Sequence, residues 1–512
     1  MGILAFQSIL YEKLAWKSEE KHVEPDFFAD LNLDKIINAI THGKDDYDLK
    51  PLYYEPVAKV NDVLYRQEVM KELERRDVMD ATMSFSGAMQ KIRNNLRFND
   101  RLYYKYNKEG NLLDTAEMYC SAASAYAAFL SSVKLDSRGF RSLSEYLSNY
   151  VKSEGFISLR NRTAGMRTEL SDIRFSMLIK EGQIVVKMEE SDDDYSNDVL
   201  MAFEKFKQGA VKNYKAKYFD HAGMNHVEAE IVNLVSRLFP ETFAHLDAYC
   251  AGVSGFMDDT LVRFDREIQF YIAYLQYISL FRAAGFHFCY PVVTENDKNV
   301  LGVEAYDMAL GAKLIGEKKQ LVCNDFSLGG SERIIVVTGP NQGGKTTFAR
   351  TFGQLHYLAN LGCCVPGREG KLLLFDRLFT HFEKEEDISN LQGNLESDLE
   401  GMHAILEQAS SRSIVIINEM FSATTVHDGV LLGRKILRKI ADMDALCVYV
   451  TFLDELASLD KTVSMVSTVD AGNPEIRTFK ILRQQADGIS HALAIARKHG
   501  LTYDVLRGRL KH

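Results

Sequence analysis

One stretch limits what this chain can fold into more than any other: an apolar, β-branched run at Ile334 to Val337, then a glycine-rich loop, then a helix-forming segment. The loop, Gly339-Pro-Asn-Gln-Gly-Gly-Lys-Thr346, matches the pattern G-x-x-x-x-G-K-[ST] at every fixed position. A strand, a glycine loop and a helix in this order are typical of a phosphate-binding loop. The alternative is a chance glycine-rich turn, which accounts for neither the strand nor the Lys-Thr pair.

Each residue type of this loop has a physical role in the prediction. Glycines let successive backbone N–H groups face one anion, and the helix N-terminus adds partial positive charge. We expect Lys345 to reach the β- and γ-phosphates and the Thr346 hydroxyl to ligate Mg²⁺. The predicted cofactors are therefore ATP and Mg²⁺. The predicted binding residues of the loop are Gly339, Pro340, Asn341, Gln342, Gly343, Gly344, Lys345, Thr346 and Thr347.

Composition narrows the class of protein. A chain of 512 residues has room for roughly two to four domains. Its formal net charge of −10 gives no overall attraction to nucleic acid, so any such surface must be local. The 7 scattered cysteines indicate reduced thiols, and no signal peptide or membrane-length apolar run is recognisable. We therefore expect a cytoplasmic protein with no membrane partner.

The first half of the chain has a helical pattern with one interruption. Only 8 prolines occur in the whole chain, which favours long helices. An alternating run from Ile173, broken at Glu181-Gly182, predicts a β-hairpin. Val227 to Gly285 predicts one long helix or two. Helical patterns before the hairpin occupy residues 29–41, 57–76, 116–133 and 142–167.

A lysine-rich segment follows the hairpin. Its lysines are interleaved with Phe206, Tyr214 and Tyr218. Such a segment can follow a phosphate backbone, or it can be the solvated face of a helix, and both interpretations stay open. The candidate DNA contacts are Lys205, Lys207, Lys212, Lys215 and Lys217.

Strand-like runs alternate with helical stretches from about residue 288, which indicates a doubly wound sheet. One of these runs ends in Asn418-Glu419. A nucleotide-hydrolysing site needs a carboxylate at such a strand end, so Glu419 is the candidate general base and acts with Lys345. Asn418 is a candidate metal ligand that would bind Mg²⁺ more weakly than a carboxylate does, because its amide carries no charge. The predicted strands are Arg333–Thr338, Lys371–Phe375, Ser413–Ile417, Ala445–Thr451 and Glu475–Leu482.

Four motifs follow one another in the second half: TGPNQGGKTT, GCCVPGREGKLLLFDRLFTHF, FSATTVHDG and GISHALAIARKHGLTYDVL. In this order they resemble the ATPase domain of the MutS family of DNA mismatch-repair proteins. That family typically has TGPN-x-GGKST, a VPA segment with a D-R-[IL]-F-T-R strand, GRGTST-x-DG, and a helix with YG-x-x-VA-x-x-AG. The resemblance spans Gly339 to about Leu506.

The resemblance implies an ABC-type ATPase domain that dimerises head to tail around ATP, a helical lever, and a clamp for duplex DNA. It implies partners as well: a second copy of the chain, and double-stranded or branched DNA. Each nucleotide is completed by a signature segment of the other subunit, here within Ile388–Met402, with Ser389, Gly393 and Asn394 as candidates. The family's adenine-stacking aromatic corresponds to Leu321, with Val322 beside it and Asn324 following.

Three departures from the family pattern share a direction. Asn418 replaces a carboxylate, Phe452 replaces a histidine, and Gly393-Asn394-Leu395 replaces the Ser-Thr-Phe of the signature. All three reduce charge or polarity near the γ-phosphate and the metal, while the glycine loop is intact. Losing one group that stabilises a transition state commonly costs about 10²- to 10³-fold in rate. We therefore expect nucleotide binding with weak ATPase activity.

The first half departs as well. The family's mismatch reader carries an aromatic-x-Glu motif, which Phe27-Phe28 do not form, and the connecting domain has no counterpart. The excursion from Ile173 to Gly223 is shorter than the family's clamp. Mismatch recognition is therefore not expected, and neither is an endonuclease domain after the ATPase domain.

Together these patterns predict a multidomain protein with a mostly α-helical core or lever, a small clamp-like excursion, and a C-terminal α/β ABC-type P-loop ATPase domain. The predicted function is ATP-dependent DNA binding in repair or recombination. A nucleotide-switched protein-interaction module of the same fold is the alternative, and an unrelated P-loop NTPase is a third. The predicted domains are 1–165 (first part of the core), 166–225 (clamp-like excursion), 226–287 (returning helices) and 288–512 (ATPase domain).

Overall fold

The described part of the chain forms two compact units, which we call the helical unit and the sheet unit. Of the described residues, those within 76–135 and 140–265 belong to the helical unit, and those within 7–75, 136–139 and 266–486 belong to the sheet unit. The prediction of a multidomain chain that mixes helices and sheets is confirmed. The division into core, clamp and ATPase domain concerns function and stays a prediction. The computed structural model describes residues 6–13, 23–180, 183–188, 223–253, 255–383, 394–421, 424–470, 472–473 and 476–486.

Helices precede the hairpin, much as the sequence predicts. The pattern at 29–41 forms two helices, because Asn32 adopts a left-handed conformation with φ 56°. The pattern at 142–167 forms a helix pair, and the Ser153 side chain caps the second helix by accepting from Phe156 N. The helices are α1 (Phe27–Leu31), α2 (Leu33–Thr41), α3 (Lys50–Tyr54), α4 (Val60–Leu73), α5 (Arg76–Asn99), α6 (Lys105–Ser132), α7 (Arg138–Tyr150) and α8 (Glu154–Ser171).

The predicted hairpin is present, and more helices follow it than expected. Strands β1 (Phe175–Lys180) and β2 (Gln183–Met188) pair antiparallel. The stretch predicted as one or two helices forms three. Pro240 starts the second helix, where its missing N–H costs nothing, and the helix ends at Gly252, before Gly255 with φ 70°, so that the third begins at Asp259. These are α9 (His226–Leu238), α10 (Pro240–Gly252) and α11 (Asp259–Ala283).

The rest of the sheet unit alternates strands with helices. Its elements are β3 (Phe288–Cys289), β4 (Val292–Thr294), β5 (Val300–Ala305), α12 (Met308–Gly316), β6 (Asn324–Leu328), β7 (Ile334–Thr338), α13 (Lys345–Asn360), β8 (Val365–Pro366), β9 (Glu369–Leu373), β10 (Leu378–Phe382), α14 (Asn394–Gln408), β11 (Ile414–Asn418), α15 (Val426–Met443), β12 (Leu446–Val450), β13 (Thr462–Val469) and β14 (Arg477–Arg483).

The main sheet of this unit has the strand order β10-β11-β12-β7-β13-β14. The first five strands are parallel and β14 is antiparallel at the edge. Every residue of β7, β11 and β12 is buried, as expected for parallel strands covered on both faces. On one face Val415 and Ile417 pack with α15, and on the other Ile416 lies against Gly353 of α13.

One strand of the predicted doubly wound sheet lies elsewhere. The run predicted at Lys371–Phe375 forms β9, which belongs to a separate four-stranded sheet of order β4-β9-β5-β6. The next strand along the chain, β10, is the edge strand of the main sheet and pairs with β11. A short apolar run shows that a strand forms, but its pairing depends on distant residues.

The N-terminal helix α1 packs on the helix that follows the glycine loop. Leu31 lies against Gly353, where an added Cβ would come within 2.8 Å of Leu31 Cδ1. Arg350 Nε donates to Asp30 O over 2.7 Å, and Thr380 Oγ1 donates to Asp30 Oδ2 over 2.6 Å. These contacts tie α1 both to α13 and to the edge strand β10 of the main sheet. Across the described ranges, no helix is long and apolar enough to cross a bilayer.

Candidate functional site

The glycine loop joins β7 to α13 in a conformation that needs its glycines. Gly339 and Gly344 have φ angles of 111° and 91°, in a region that favours glycine, and Gln342 has φ 60°. A Cβ added to Gly343 would overlap the Ser467 hydroxyl, which donates to Gly343 O over 2.7 Å. The loop is therefore packed closely against β13 and holds one defined shape.

The start of α13 supplies donors for an anion. Its N-cap residue is Gly344, which has no side chain to cap the helix. N–H groups in the first turn of a helix have no acceptor within the helix. Together with the partial positive charge at this helix end, these donors fit a phosphate group.

Lys345 places its ammonium group over the loop. Nζ donates to Gly339 O over 2.9 Å, to Pro340 O over 3.2 Å and to Asn341 Oδ1 over 3.1 Å. It lies 4.0 Å from Glu419 Oε1. Burial lowers the pKa of Lys345, and the carboxylate of Glu419 opposes that shift. A phosphate would add negative charge next to this buried cation and so offset the cost of its burial.

The loop meets the end of β11, which brings the predicted catalytic and metal residues together. Thr346 Oγ1 donates to Asn418 Oδ1 over 2.8 Å. The next residue, Glu419, has φ 56° and is about a third exposed. Left-handed conformations of residues other than glycine often occur at functional sites. The structure thus groups Lys345, Thr346, Asn418 and Glu419, although these residues come from two distant segments.

This group supplies oxygen ligands of the kind that Mg²⁺ prefers. The Thr346 hydroxyl, the Asn418 amide oxygen and the Glu419 carboxylate are hard donors. Within the described ranges, no group of three or more His, Cys, Asp or Glu residues could hold a metal ion alone. Magnesium is usually bound through one or two protein oxygens together with substrate phosphates, and these residues fit that mode.

The end of β12 lies beside this group and presents an apolar ring. Thr451 is buried, its N–H donates to Val337 O over 3.0 Å, and its Oγ1 accepts from Leu453 N over 3.0 Å. Phe452 follows and is 49% exposed. At this strand end the chain therefore exposes a side chain that neither donates nor accepts a hydrogen bond.

Two of the residues predicted to contact the adenine base, Leu321 and Asn324, lie in different surroundings. Leu321 is buried, and its Cδ2 would be 3.2 Å from a Cβ added to Gly311. Asn324 joins β6 to β14: its Nδ2 donates to Phe479 O over 3.1 Å, and its Oδ1 accepts from Ile481 N over 2.8 Å. The structure thus gives Asn324 a positioning contact, while Leu321 packs into the interior of the unit.

Phe479 is a site residue that the sequence patterns do not indicate. It has φ 57° and is 49% exposed. Its Cα and Cβ would lie 3.9 Å from a Cβ added to Gly344, so it borders the glycine loop directly. In the sequence its one distinguishing feature is that it is an aromatic residue in a strand of mostly polar residues. Only the tertiary structure shows that it lies beside the loop.

A second polar contact ties α14 to the loop after Glu419. Asp398 Oδ1 lies 2.9 Å from His381 Nε2, and Asp398 Oδ2 accepts from Phe421 N over 3.2 Å. Phe421 has φ 64°. Asp398 therefore links β10, α14 and the segment that carries the predicted general base.

Several predicted site residues cannot be located in the structure. Ser389, Gly393 and the candidate DNA contacts Lys205, Lys207, Lys212, Lys215 and Lys217 lie outside the described residues. Asn394 begins α14, and its side chain is not described.

The sequence of this unit matches a known protein family. Residues 335–509 match the family model for MutS domain V. This chain contains a MutS domain V. The matched region begins in β7 and contains the glycine loop, Asn418 and Glu419. The resemblance noted from the motifs is therefore confirmed.

Curated members of the MutS family are similar to this chain over the same part. DNA mismatch repair protein MutS of Chlorobaculum tepidum is 25% identical over 227 residues, which are 43% of this chain and 26% of that protein. Endonuclease MutS2 of Leuconostoc mesenteroides is 32% identical over 197 residues, 37% of this chain and 24% of that protein. DNA mismatch repair protein Msh3 of Mus musculus is 30% identical over 176 residues, which are 34% of this chain and 16% of that protein. The chain thus spans about a quarter or less of each relative.

Proposed function

We propose that this MutS-family chain binds ATP with Mg²⁺, hydrolyses it slowly, and binds DNA in repair or recombination without reading mismatches. The hydrogen bond between Thr346 and Asn418 carries the proposal. It joins an intact glycine loop to a strand end where a neutral amide replaces a carboxylate. The site therefore keeps the groups that bind phosphate and lacks one charge that hydrolysis uses.

Each described residue then has a role. The loop N–H groups and Lys345 would hold the phosphates, while Thr346 and Asn418 would hold Mg²⁺ through their side-chain oxygens. When bound, Mg²⁺ supplies positive charge next to the phosphate oxygens. Glu419, which is 4.0 Å from Lys345, would orient a water molecule and accept its proton.

Slow hydrolysis follows from what Asn418 and Phe452 cannot do. An amide carries no negative charge to hold the metal, and a phenyl ring offers no donor to developing negative charge. One missing group of this kind commonly costs about 10²- to 10³-fold in rate. Nucleotide binding depends mainly on the loop and is expected to survive.

The DNA-binding part rests on the relatives. Two of those described above are named DNA mismatch repair proteins. By analogy we infer a cytoplasmic protein that forms homodimers through its ATPase domains, as the family resemblance implies. ATP at the dimer interface would then couple nucleotide binding to the affinity for DNA.

One observation favours the alternative, a nucleotide-switched module that binds a protein. The β1 strand of the hairpin exposes apolar side chains: Met177 is 48%, Leu178 57% and Ile179 66% exposed. Exposed apolar patches often mark protein interfaces and do not attract phosphate. The net charge of −10 points the same way.

Light scattering distinguishes the two functions. The molecular mass of the full chain would be measured with and without a non-hydrolysable ATP analogue, then with duplex, branched and single-stranded DNA. The proposal predicts a doubled mass with the analogue and a further increase with duplex or branched DNA. Nucleotide-dependent doubling without DNA binding supports the alternative. If the analogue does not bind, both are wrong, and Lys345→Ala serves as the non-binding control.

A further inference from the structure

Helix α15 carries four cationic side chains on one face, which we call the α15 basic face: Arg434, Lys435, Arg438 and Lys439. All four are exposed. At 3.6 residues per turn they cover an arc of about 140°. The opposite side of the helix is buried against the core of the sheet unit through Gly433, Ile436, Leu437 and Ile440.

These cations are not neutralised by neighbouring carboxylates. In the part of the chain that the structure describes, no ion pair joins any of the four to an acidic side chain. Asp442, about one turn further on, and Asp428, nearly two turns before Arg434, are exposed on the same side of the helix, so this side carries four positive charges and two negative charges. The whole chain has a net charge of −10, which makes this face a local exception.

The helix that presents these cations is capped at its start and tied to the rest of the sheet unit at its end. At its start, Thr425 Oγ1 accepts from Asp428 N over 3.2 Å and donates to Asp428 Oδ2 over 2.8 Å. At its end, Lys461 Nζ donates to Ala441 O over 3.0 Å. Arg333 Nε donates to Asp444 Oδ1 over 2.6 Å, just after the last turn. A rigid support lowers the entropy cost of ordering the cations on a ligand.

We propose that the α15 basic face binds the phosphate backbone of DNA. Arg434 and Arg438, and likewise Lys435 and Lys439, are four residues apart, a rise of about 6 Å along the helix. They form two rows of cations, and duplex DNA offers one negative charge per about 1.7 Å of its axis. The arginine guanidinium groups suit phosphate oxygens because they can donate two parallel hydrogen bonds. This inference rests on the DNA binding proposed above.

The test compares two variants of the full chain that change net charge equally. In the first, Arg434→Gln, Lys435→Gln, Arg438→Gln and Lys439→Gln remove the face. In the matched control, Lys50→Gln, Lys59→Gln, Lys313→Gln and Lys318→Gln remove four exposed lysines elsewhere on the sheet unit. Binding of a fluorescein-labelled DNA duplex of mixed sequence is measured by anisotropy between about 50 and 200 mM salt.

In a plot of log binding constant against log salt concentration, we expect the slope of the first variant to be shallower than that of the wild type by about 3.6. Each of the four lost phosphate contacts accounts for about 0.9 of this difference. Its affinity at the lower salt concentration should fall by about tenfold or more. The control should keep the wild-type slope, and both variants should keep wild-type nucleotide binding and melting temperature. If the fourfold variant does not fold, the 434/438 and 435/439 pairs changed separately should each show about half the change in slope.

Other outcomes overturn the inference in ways that can be told apart. If the wild type binds duplex DNA and the first variant binds equally well, the face is not involved, and the proposed function stands. If both variants lose affinity equally, overall charge and not this face explains the loss. If the first variant loses binding to a labelled Glu-rich peptide and not to DNA, the face binds an acidic protein. If the wild type binds no DNA, the proposed DNA binding fails together with this inference.

Discussion

The hydroxyl of Thr346 donates a hydrogen bond of 2.8 Å to the side-chain oxygen of Asn418. This contact joins the first turn of α13 to the end of β11, and it puts a neutral amide where metal-holding sites often have a carboxylate. The charge at this one position therefore separates nucleotide binding from hydrolysis in the proposed function.

Restoring that charge should speed up hydrolysis. In Asn418→Asp, a carboxylate would face the Thr346 hydroxyl and hold Mg²⁺ more strongly. We expect ATP hydrolysis about tenfold faster or more, half-saturated at a lower Mg²⁺ concentration. A magnesium titration of steady-state ATPase activity measures both effects, with Asn418→Leu as the apolar control. An Asp variant with the wild-type rate and magnesium dependence would contradict the role given to Asn418.

Removing the candidate base should abolish hydrolysis and spare binding. Glu419→Gln keeps the size of the side chain next to Lys345 but cannot accept a proton at neutral pH. We expect single-turnover hydrolysis to slow by about 10²- to 10⁴-fold, with ATP affinity little changed. Quenched-flow measurement of the first turnover, with equilibrium binding alongside, tests this. Wild-type hydrolysis by the variant would assign the base to another group.

Phe479 should contribute to the binding of the adenine base of ATP and not to the binding of its phosphates. It borders Gly344 and its carbonyl is held by Asn324, which leaves the ring exposed at the edge of the loop. Stacking of a base on an aromatic ring is worth about 1–3 kcal/mol. Phe479→Ala should weaken ATP binding by that amount, measured by calorimetry. Tripolyphosphate, which has no base, is the control ligand, and an equal loss for both ligands would place Phe479 away from the base.

Asp398 should stabilise the segment that carries Glu419. Asp398→Asn would weaken its contact with His381 and remove the charge that faces Phe421 N. We expect the free energy of unfolding of the sheet unit to fall by about 1–3 kcal/mol, together with slower hydrolysis. Urea denaturation measures the first effect. Glu407→Gln, in the exposed pair with His403, is the control and should change stability by less than about 0.5 kcal/mol.

Glu109 should make the helical unit less stable as the pH rises through neutrality. Burial, together with the hydrogen bond to Asp247 and the negative charge of that residue, raises the pKa of Glu109 to about 7, and the positive charge of Lys105 opposes the shift. The folded form therefore binds this proton more tightly than the unfolded chain, where the pKa is ordinary. Stability is then greatest below that ordinary value and is lost as the pH approaches and passes 7.

Glu109→Gln should remove this pH dependence, because its side chain stays neutral. We expect the melting temperature of the variant to lie above that of the wild type at about pH 8 and close to it at about pH 5. Each kcal/mol gained in the free energy of unfolding raises the melting temperature by about 2–4 °C. Calorimetric scans at the two pH values measure the difference. Glu145→Gln, at an exposed position of the same unit, is the control. A variant with the wild-type pH dependence would show that Glu109 is not responsible.

Much of the candidate site could be predicted from local sequence. A glycine loop that holds phosphate needs glycine at particular positions, and Gly339 and Gly344 adopt the left-handed conformations that explain this requirement. Parallel strands end at one edge of a sheet, so a strand ending in Asn418-Glu419 could be placed next to the loop. The structure brings Thr346 and Asn418 into contact as that argument requires.

The sequence by itself determined the loop, the strands β7, β11 and β12 and the resemblance of this region to MutS domain V, because these depend on short segments with strict conformational needs. Only the tertiary structure decided that residues 7–75 belong to the sheet unit, that β9 pairs outside the main sheet, and that Phe479 lies beside Gly344. Those arrangements arise from packing between segments far apart in the chain, and the free energy of such contacts cannot be read from either segment alone.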